Sequence, residues 1–225
     1  MNNFSFQLGS KTAIARADGT LFLPDPGVLA AGDLHLGRAE RTARESGGLI
    51  PPYESLDTLN RLEAAISSTN PRTVVLVGDS FDDEDSASDI GPDLLHRIYR
   101  MAAGRHWIWI AGNHDPGPID LPGSFQQTWH TDDITFSHIA ERAPDGPEVS
   151  AHFHPKAVVS RAGSRISRKC HLIDRKRVIL AAFGTYTGGL KASDPAFDRL
   201  LDTDAVAVLL GKSAQPMLRT QLACG

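Results

Sequence analysis

Trp107-Ile108-Trp109-Ile110-Ala111-Gly112-Asn113-His114-Asp115 runs from an apolar stretch straight into polar, chemistry-bearing residues. A short apolar run rich in β-branched and aromatic residues reads as a buried strand, and the glycine marks its exit. The same transition occurs twice upstream. Thr73-Val74-Val75-Leu76-Val77 stops at Gly78-Asp79, and Val28-Leu29-Ala30-Ala31 leads through Gly32 to Asp33. Between these runs, Leu56, Leu59, Leu62 and Ile66 recur at helical spacing from Tyr53 to about Ser68. Pro92 opens a further helix, with Leu94, Leu95, Ile98 and Met101 on its buried face and Gly104 near its end. Three strands, each ending in a polar glycine-containing motif, form the α/β pattern in which chemistry collects at the carboxyl ends of parallel strands.

Outward from this centre, Thr12–Ala15 and Thr20–Leu23 flank Asp18-Gly19 and read as a hairpin. The stretch after Asp33, through Gly47-Gly48 and Pro51-Pro52, reads as a polar loop. The second half changes character. Ile134–Phe136, Lys156–Ser160, His171–Ile173, Val178–Ala182 and Ala205–Leu210 form a run of strands, and only Pro195–Leu201 suggests a helix. A strand-helix half followed by a mostly antiparallel half implies sheets packed inside helices. No repeat, low-complexity tract or linker divides the chain, so residues 1–225 are expected to form one domain.

The composition is that of a globular chain: 41% hydrophobic, 22% charged, mean hydropathy −0.21. No apolar run approaches the roughly 20 residues that cross a bilayer, which argues against a membrane role. The start, Met1-Asn2-Asn3-Phe4-Ser5, lacks a basic and an apolar leader region. Cys170 and Cys224 show no paired spacing, which fits a reducing compartment and supplies no zinc knuckle. A cytoplasmic protein is expected. The net charge of −4 argues mildly against a nucleic-acid coat, although bound cations would shift that balance.

Five motifs carry the chemistry: Asp33-Leu34-His35, Gly78-Asp79, Gly112-Asn113-His114-Asp115, His138, and His152-Phe153-His154. They hold five of the nine histidines, too many to dismiss as separate structural residues. In an extended segment, residues two apart point the same way, so Asp33/His35 and His152/His154 can each aim two ligands into one cavity. Imidazoles, carboxylates and one carboxamide suit Mn, Fe or Zn better than Mg or Ca.

In their order and spacing these motifs resemble the calcineurin-like metallophosphoesterases. Gly32-Asp33-Leu34-His35-Leu36-Gly37, Pro51-Pro52 and Ala182-Phe183-Gly184-Thr185-Tyr186-Thr187-Gly188-Gly189 are similar to the bacterial ligase-associated branch. The resemblance spans about Asp18 to Gly189. It implies a four-layer α/β/β/α sandwich of two mixed sheets flanked by helices. It also implies a manganese-dependent single-strand DNA endonuclease of DNA repair, functionally linked to DNA ligase, helicase and exonuclease. Two divalent transition-metal ions, Mn by that likeness with Fe or Zn as alternatives, are implied. Asp33, His35 and His154 would hold one, Asn113, His138 and His152 the other, with Asp79 between them. Cations about 3.5–4 Å apart can trap a bridging hydroxide for in-line attack on phosphorus. His114 would serve the leaving alkoxide, with Asp115 orienting its ring.

The sequence departs from that pattern at Ala151, where glycine is usual, at His138, which lacks a following glycine, and at Asp82, where this branch often carries histidine. Ala151 would either crowd the metal pocket or only shift the backbone slightly, and Asp82 would repel a phosphate if it stands where that histidine touches one. The acidic run Asp82-Asp83-Glu84-Asp85 with Asp89 reads as a solvated loop or helix approach, or as a further cation site. Opposing it is a basic tract: Lys156, Arg161, Arg165, Arg168, Lys169, Arg175, Lys176 and Arg177. This is either a phosphate-tracking groove or an ordinary charged sheet face. Arg38, Arg41 and Arg44 are interleaved with Glu40 and Glu45, and Arg38 is the best placed to touch substrate. Arg165, Arg168 and Lys169 are the other substrate-binding candidates. Trp107 and Trp109 read as packing residues, and Tyr186 as a turn residue or part of the cleft wall. A phosphodiesterase acting on small or cyclic nucleotides, and a non-catalytic scaffold, are the competing readings.

Overall fold

The three apolar runs that end in glycine lie side by side as parallel strands, and the rest of the fold is arranged to hold their carboxyl ends. The computed structural model describes residues 2–48, 50–88, 90–115, 117, 120–161 and 164–222, excepting the side chains at 84, 160, 161 and 164. Asp89 and Cys224, and the side chains of Glu84 and Arg161, lie outside what is described. The first sheet runs β1 (Phe4–Leu8), β2 (Lys11–Ala15), β3 (Leu21–Leu23), β4 (Val28–Gly32), β5 (Thr73–Val77), β6 (His106–Ile110) and β7 (Ser124–Gln126), in that spatial order. From β1 to β4 the pairings are antiparallel, and from β4 to β7 they are parallel. Helices α1 (Arg38–Ser46), α2 (Glu54–Thr69), α3 (Glu84–Ser88) and α4 (Pro92–Ala102) fall between β4 and β6.

Both faces of the parallel strands are covered, which is why they read as unbroken apolar runs rather than alternating ones. Val75, Val77, Ile108 and Ile110 pack towards the second sheet, whereas Val74, Leu76, Trp107 and Trp109 join Leu59, Leu62 and Ile98 on the helical side. Each fully buried aliphatic side chain contributes about 1.5–3 kcal/mol relative to exposure. The tryptophans are therefore packing residues, as expected, and Trp109 Nε1 also donates to the Pro122 carbonyl at 2.9 Å.

The second sheet has the order β15 (Gln215–Leu218), β14 (Val206–Leu209), β12 (Ser164–Ile173), β13 (Arg177–Ile179), β10 (Glu148–Ser150), β9 (Ile134–Ser137) and β8 (Thr128–Thr131), with β11 (Lys156–Arg161) paired to β12. It is mainly antiparallel, but β10 runs parallel to both neighbours. A core of Leu21, Val75, Ile108, Phe136, Val149 and Leu180 fills the space between the sheets. On the outer face of the second sheet, Phe197 and Leu201 cover Cys170, Leu172 and Ala207. The arrangement is two mixed sheets flanked by helices. Its last layer is thin: a 3-10 turn, Pro195–Arg199, stands where a helix to Leu201 was expected.

Several expectations change. The polar loop after Asp33 contains α1, invisible to apolar periodicity because Ala39 is its sole buried residue among those described. Leu56 is 46% exposed, since the buried stripe of α2 runs through Ser55, Leu59, Leu62 and Ile66. Strand β13 stops at Ile179, earlier than the apolar run. The chain then crosses to the first sheet, where Ala182 bridges Gly32 in parallel and Phe183 N donates to the Gly32 carbonyl at 2.8 Å. That crossing joins both sheets at the edge of the site.

Candidate metal centre

Each candidate ligand follows a strand end. Asp33 and His35 follow β4, Asp79 follows β5, Asn113 follows β6, His138 follows β9, and His152 and His154 follow β10. Extended backbone was expected for the paired ligands, but Asp33 (φ 53°), His35 (φ 48°), Asp79 (φ 43°), His152 (φ 69°) and His154 (φ 47°) are left-handed. Each such residue costs on the order of 1–3 kcal/mol and persists only where its surroundings over-determine it. Here they do. Asp33 N, His35 N and Leu36 N donate to the carbonyls of Gly78, Asp79 and Ser80 at 3.2, 3.0 and 2.9 Å, lacing the first two loops together. His152 N donates to Asp33 Oδ2 at 3.0 Å and ties the second sheet to the first. Gly78 (φ 71°) must be glycine, because a Cβ there would meet His138 Nδ1 at 2.0 Å.

The side chains converge in two adjacent groups, Asp33/His35/His154 and Asp79/His138/His152, with the ligand atoms of each within 4.8 Å of one another. In the first, His154 Nε2 lies 3.3 Å from His35 Nε2 and 3.4 Å from Asp33 Oδ1. In the second, His138 Nε2 lies 3.3 Å from His152 Nδ1, 3.4 Å from Asp79 Oδ2 and 3.0 Å from Asn113 Oδ1. His138 Nδ1 faces the Val77 carbonyl at 3.3 Å, which turns Nε2 towards Asp79 and Asn113. His35 Nδ1 sits 2.9 Å from Asp82 Oδ1, too poorly aligned for a hydrogen bond, with Nε2 turned towards His154. With the imidazoles neutral, ring nitrogens, carboxylates and an amide oxygen can all turn lone pairs into the space between them. That donor set fits a divalent transition cation in each group.

The ionisable groups polarise one another. Burial works against the ionised Asp79, but the hydrogen bond and charge of His138, with the His114 amide, hold its carboxyl far below the ordinary range. Burial also opposes the protonated His138, and is outweighed by Asp79 and the charge of Asp33. His152 is lowered by burial and then by the charge of His138.

His114 lies beside both groups, its ring 5.3 Å from that of His35 and its amide donating to Asp79 Oδ1 at 2.9 Å. Asp115 does not orient that ring. Its oxygens accept from the amides of Ser80 (2.7 Å), Phe81 (3.1 Å) and Gly112 (3.0 Å), pinning one loop to the next. Burial pushes Asp115 up to about 6, partly resisted by the Phe81 amide. The orienting groups for His114 are instead the backbone carbonyl of Asp82, 2.9 Å from Nδ1, and the Arg41 guanidinium, 3.2 Å from the same nitrogen, which leaves Nε2 free.

Asp82 itself does not face outward as a repelling charge. It is buried behind His35 and balanced by Arg41 at 3.4 Å and Arg38 at 3.8 Å. Asp83 pairs with Arg44 at 2.6 Å and accepts from Ser86 N at 2.7 Å, so Asp82 and Asp83 form a helix approach answered by α1, while Asp85 stays exposed. The arginines of α1 thus answer Asp82 and Asp83 as well as Glu45. Ala151 does not crowd the ligands either: it is fully buried in the inter-sheet core against Gly32.

The basic tract divides. Arg177 is buried on Glu148 at 2.8 Å and on the carbonyls of Leu200 and Glu141. Arg175 pairs with Asp204 at 3.1 Å. Arg165 and Arg168 are exposed, as a substrate groove would require. Lys169 is not: its amine is turned inward onto the carbonyls of Ala182 (2.8 Å) and Gly184 (2.5 Å). Burial, then the charges of Arg61 and Lys156, push that amine down to about 7. Tyr186 (φ 61°) is half exposed on the turn that ends at Gly189. The supporting roles of Asp82, Arg41 and Arg61 around the site escape sequence reasoning, because their contacts depend on loop paths that spacing does not encode.

A model of the calcineurin-like phosphoesterases matches residues 27–179. The nuclease MPE of Pseudomonas putida superposes with a TM-score of 0.74, covering 96% of this chain and 100% of its own, at 23% identity. Yfce, a phosphoesterase from E. coli, gives a TM-score of 0.40 over 80% of this chain and 87% of its own, at 14% identity. No curated protein matches the sequence. Among the described residues no helix is long and apolar enough to cross a membrane.

Proposed function

The chain belongs to the calcineurin-like phosphoesterases, and from that premise we propose that it is a manganese-dependent nuclease cutting single-stranded DNA internally, in a repair setting. The supporting observation is the pair of ligand groups with His114 Nε2 free beside them. Asp33, His35 and His154 would hold one cation and Asn113, His138 and His152 the other, with Asp79 placed to serve both. When bound, the two cations supply the positive charge that fixes phosphate oxygens and makes water nucleophilic near neutral pH.

The remaining work falls to the chain. His114, held at Nδ1 beside the Asp82 carbonyl, presents Nε2 to the departing oxygen; as the imidazolium it gives the Nε2 proton to that oxygen and is left as the neutral ring. Asp115 keeps the two loops that carry Asp79 and His114 in register. Arg38, 28% exposed at the start of α1, contacts a substrate phosphate at the mouth of the site. The acidic run weighs less for a small-nucleotide substrate once Asp82 and Asp83 are paired with the arginines of α1.

The test uses circular single-stranded DNA and a small aryl phosphodiester, each with manganese and with chelator, and Asp79→Ala as control. Manganese-dependent cutting of both is expected, because a circle offers no end to an exonuclease. Turnover of the diester alone would replace the DNA reading with a nucleotide phosphodiesterase, and inertness towards both with metal bound would leave a scaffold.

A further inference from the structure

We propose that a cleft of about 930 Å³ beside the metal centre, between the β2–β3 turn and β12, is a subsite for a non-scissile phosphate of the substrate strand. This rests on the polynucleotide reading above. Five cations from four parts of the fold line the cleft: Arg61 on α2, Lys156 on β11, Arg168 and Lys169 on β12, and Lys212 beyond β14. Of its described lining residues, Asp18 is the sole acid, and it is already taken by Arg16 at 2.7 Å and by the Thr20 hydroxyl at 2.6 Å. Arg61 is paired with Asp57 at 3.2 Å. Lys156, Arg168, Lys169 and Lys212 make no salt bridge to any described residue, and the two inner lysines donate only to the carbonyls of Thr187, Ala182 and Gly184.

In a chain with 27 acidic and 23 basic residues, gathering four unanswered cations in one concavity is costly unless an anion completes it. The inward amine of Lys169 records the cost, since burial and the charges of Arg61 and Lys156 push it down to about 7. A phosphate would relieve both effects. The volume suits a nucleotide unit rather than a bare ion, and Phe183 and Leu210 offer apolar wall for a sugar or base.

The cleft is joined to the metal centre by backbone. Lys169 grips the carbonyls of Ala182 and Gly184, and the same segment donates from Phe183 N to Gly32 O at 2.8 Å and from Gly184 N to Asp33 O at 3.0 Å. Lys156 follows His154 by two residues. A strand whose scissile diester lies at the metal centre therefore lays a neighbouring phosphate in this cleft, held by cations that read no base.

The experiment measures binding of a short oligothymidylate to the chelator-treated full chain across a salt series, and binding of tripolyphosphate by calorimetry. The variant Arg168→Gln/Lys212→Gln alters two exposed side chains, and Arg100→Gln/Arg175→Gln removes the same charge elsewhere. The cleft variant should bind the oligonucleotide about tenfold more weakly near physiological salt. Its slope of log affinity against log salt should flatten by roughly 0.7, the value for one single-strand phosphate that is no longer neutralised. The control pair should keep the wild-type slope, and tripolyphosphate should compete with the oligonucleotide. Equal affinity and slope in wild type and cleft variant would overturn the subsite, as would an equal weakening in the control. Loss of tripolyphosphate binding with oligonucleotide binding intact would make the cleft a site for free polyphosphate instead. Turnover is not needed, so a failure to cut circular DNA would overturn the nuclease reading separately.

Discussion

His114 shows how much a single ring depends on what stands behind it. The Asp82 carbonyl and the Arg41 guanidinium hold its Nδ1 edge and the Asp79 carboxylate fixes its backbone, yet it is absent from both ligand groups. Removing the ring should leave the cations in place and remove general-acid help, so turnover of His114→Ala should fall about 10²–10⁴-fold with metal content unchanged. Wild-type turnover in that variant would take His114 out of the mechanism. Lys169 is a second residue whose surroundings set its chemistry. Folding holds its amine at about 7, against an ordinary value of 10.5, so below pH 7 the fold carries the cost of a reluctant charge. That cost fades as pH rises from 7 towards 10. Relative to Lys169→Met, the wild type should therefore gain about 1–2 kcal/mol of stability between pH 7 and 9. Parallel denaturation midpoints for the two proteins across that range, both in chelator, would rule this out.

Strand β4 meets the start of the metal loop at Gly32, where a Cβ would approach the Ala151 methyl to 2.6 Å. The alanine that stands where glycine is usual is thus tolerated because its neighbour across the sheets has no side chain. Gly32→Ala should destabilise the fold by about 1–3 kcal/mol through overpacking, and Ala151→Gly added to it should restore most of the stability in urea unfolding. Additive destabilisation in the double variant would mean the two positions do not share this space. The same elements mark what was legible in the sequence. Parallel strands buried on both faces announce themselves as apolar runs, and each leads into the polar motif read after it. Helix α1 did not, because its face is polar and its partners, Asp82 and Asp83, are remote in sequence. The roles of Asp115 and Lys169 were equally hidden. Which amide or carbonyl a side chain reaches is fixed by left-handed loop residues such as Asp79, and residue spacing carries no record of them.

At the scale of the molecule, the candidate ligands are divided between the sheets. Asp33, His35, Asp79 and Asn113 extend from the first, and His138, His152 and His154 from the second. Backbone already links the two, through His152 N on Asp33 and Gly184 N on the Asp33 carbonyl, over the apolar core between them. Cations held by such a set bind the folded chain and not the unfolded one, in which the ligands are scattered. Each cation present at about 100 times its dissociation constant adds roughly 2.7 kcal/mol. In a chain of 225 residues, each kcal/mol moves the melting temperature by about 2–4 °C. Chelation should therefore lower the melting temperature by about 10 °C or more, and manganese should restore it. Asp79→Ala, which touches the His138 side and carries the proposed bridge, should lose most of that response. A melting temperature indifferent to chelator, with the cations shown by elemental analysis to have been released, would mean that the two sheets are held by their core alone and that the ligand groups do not clamp them.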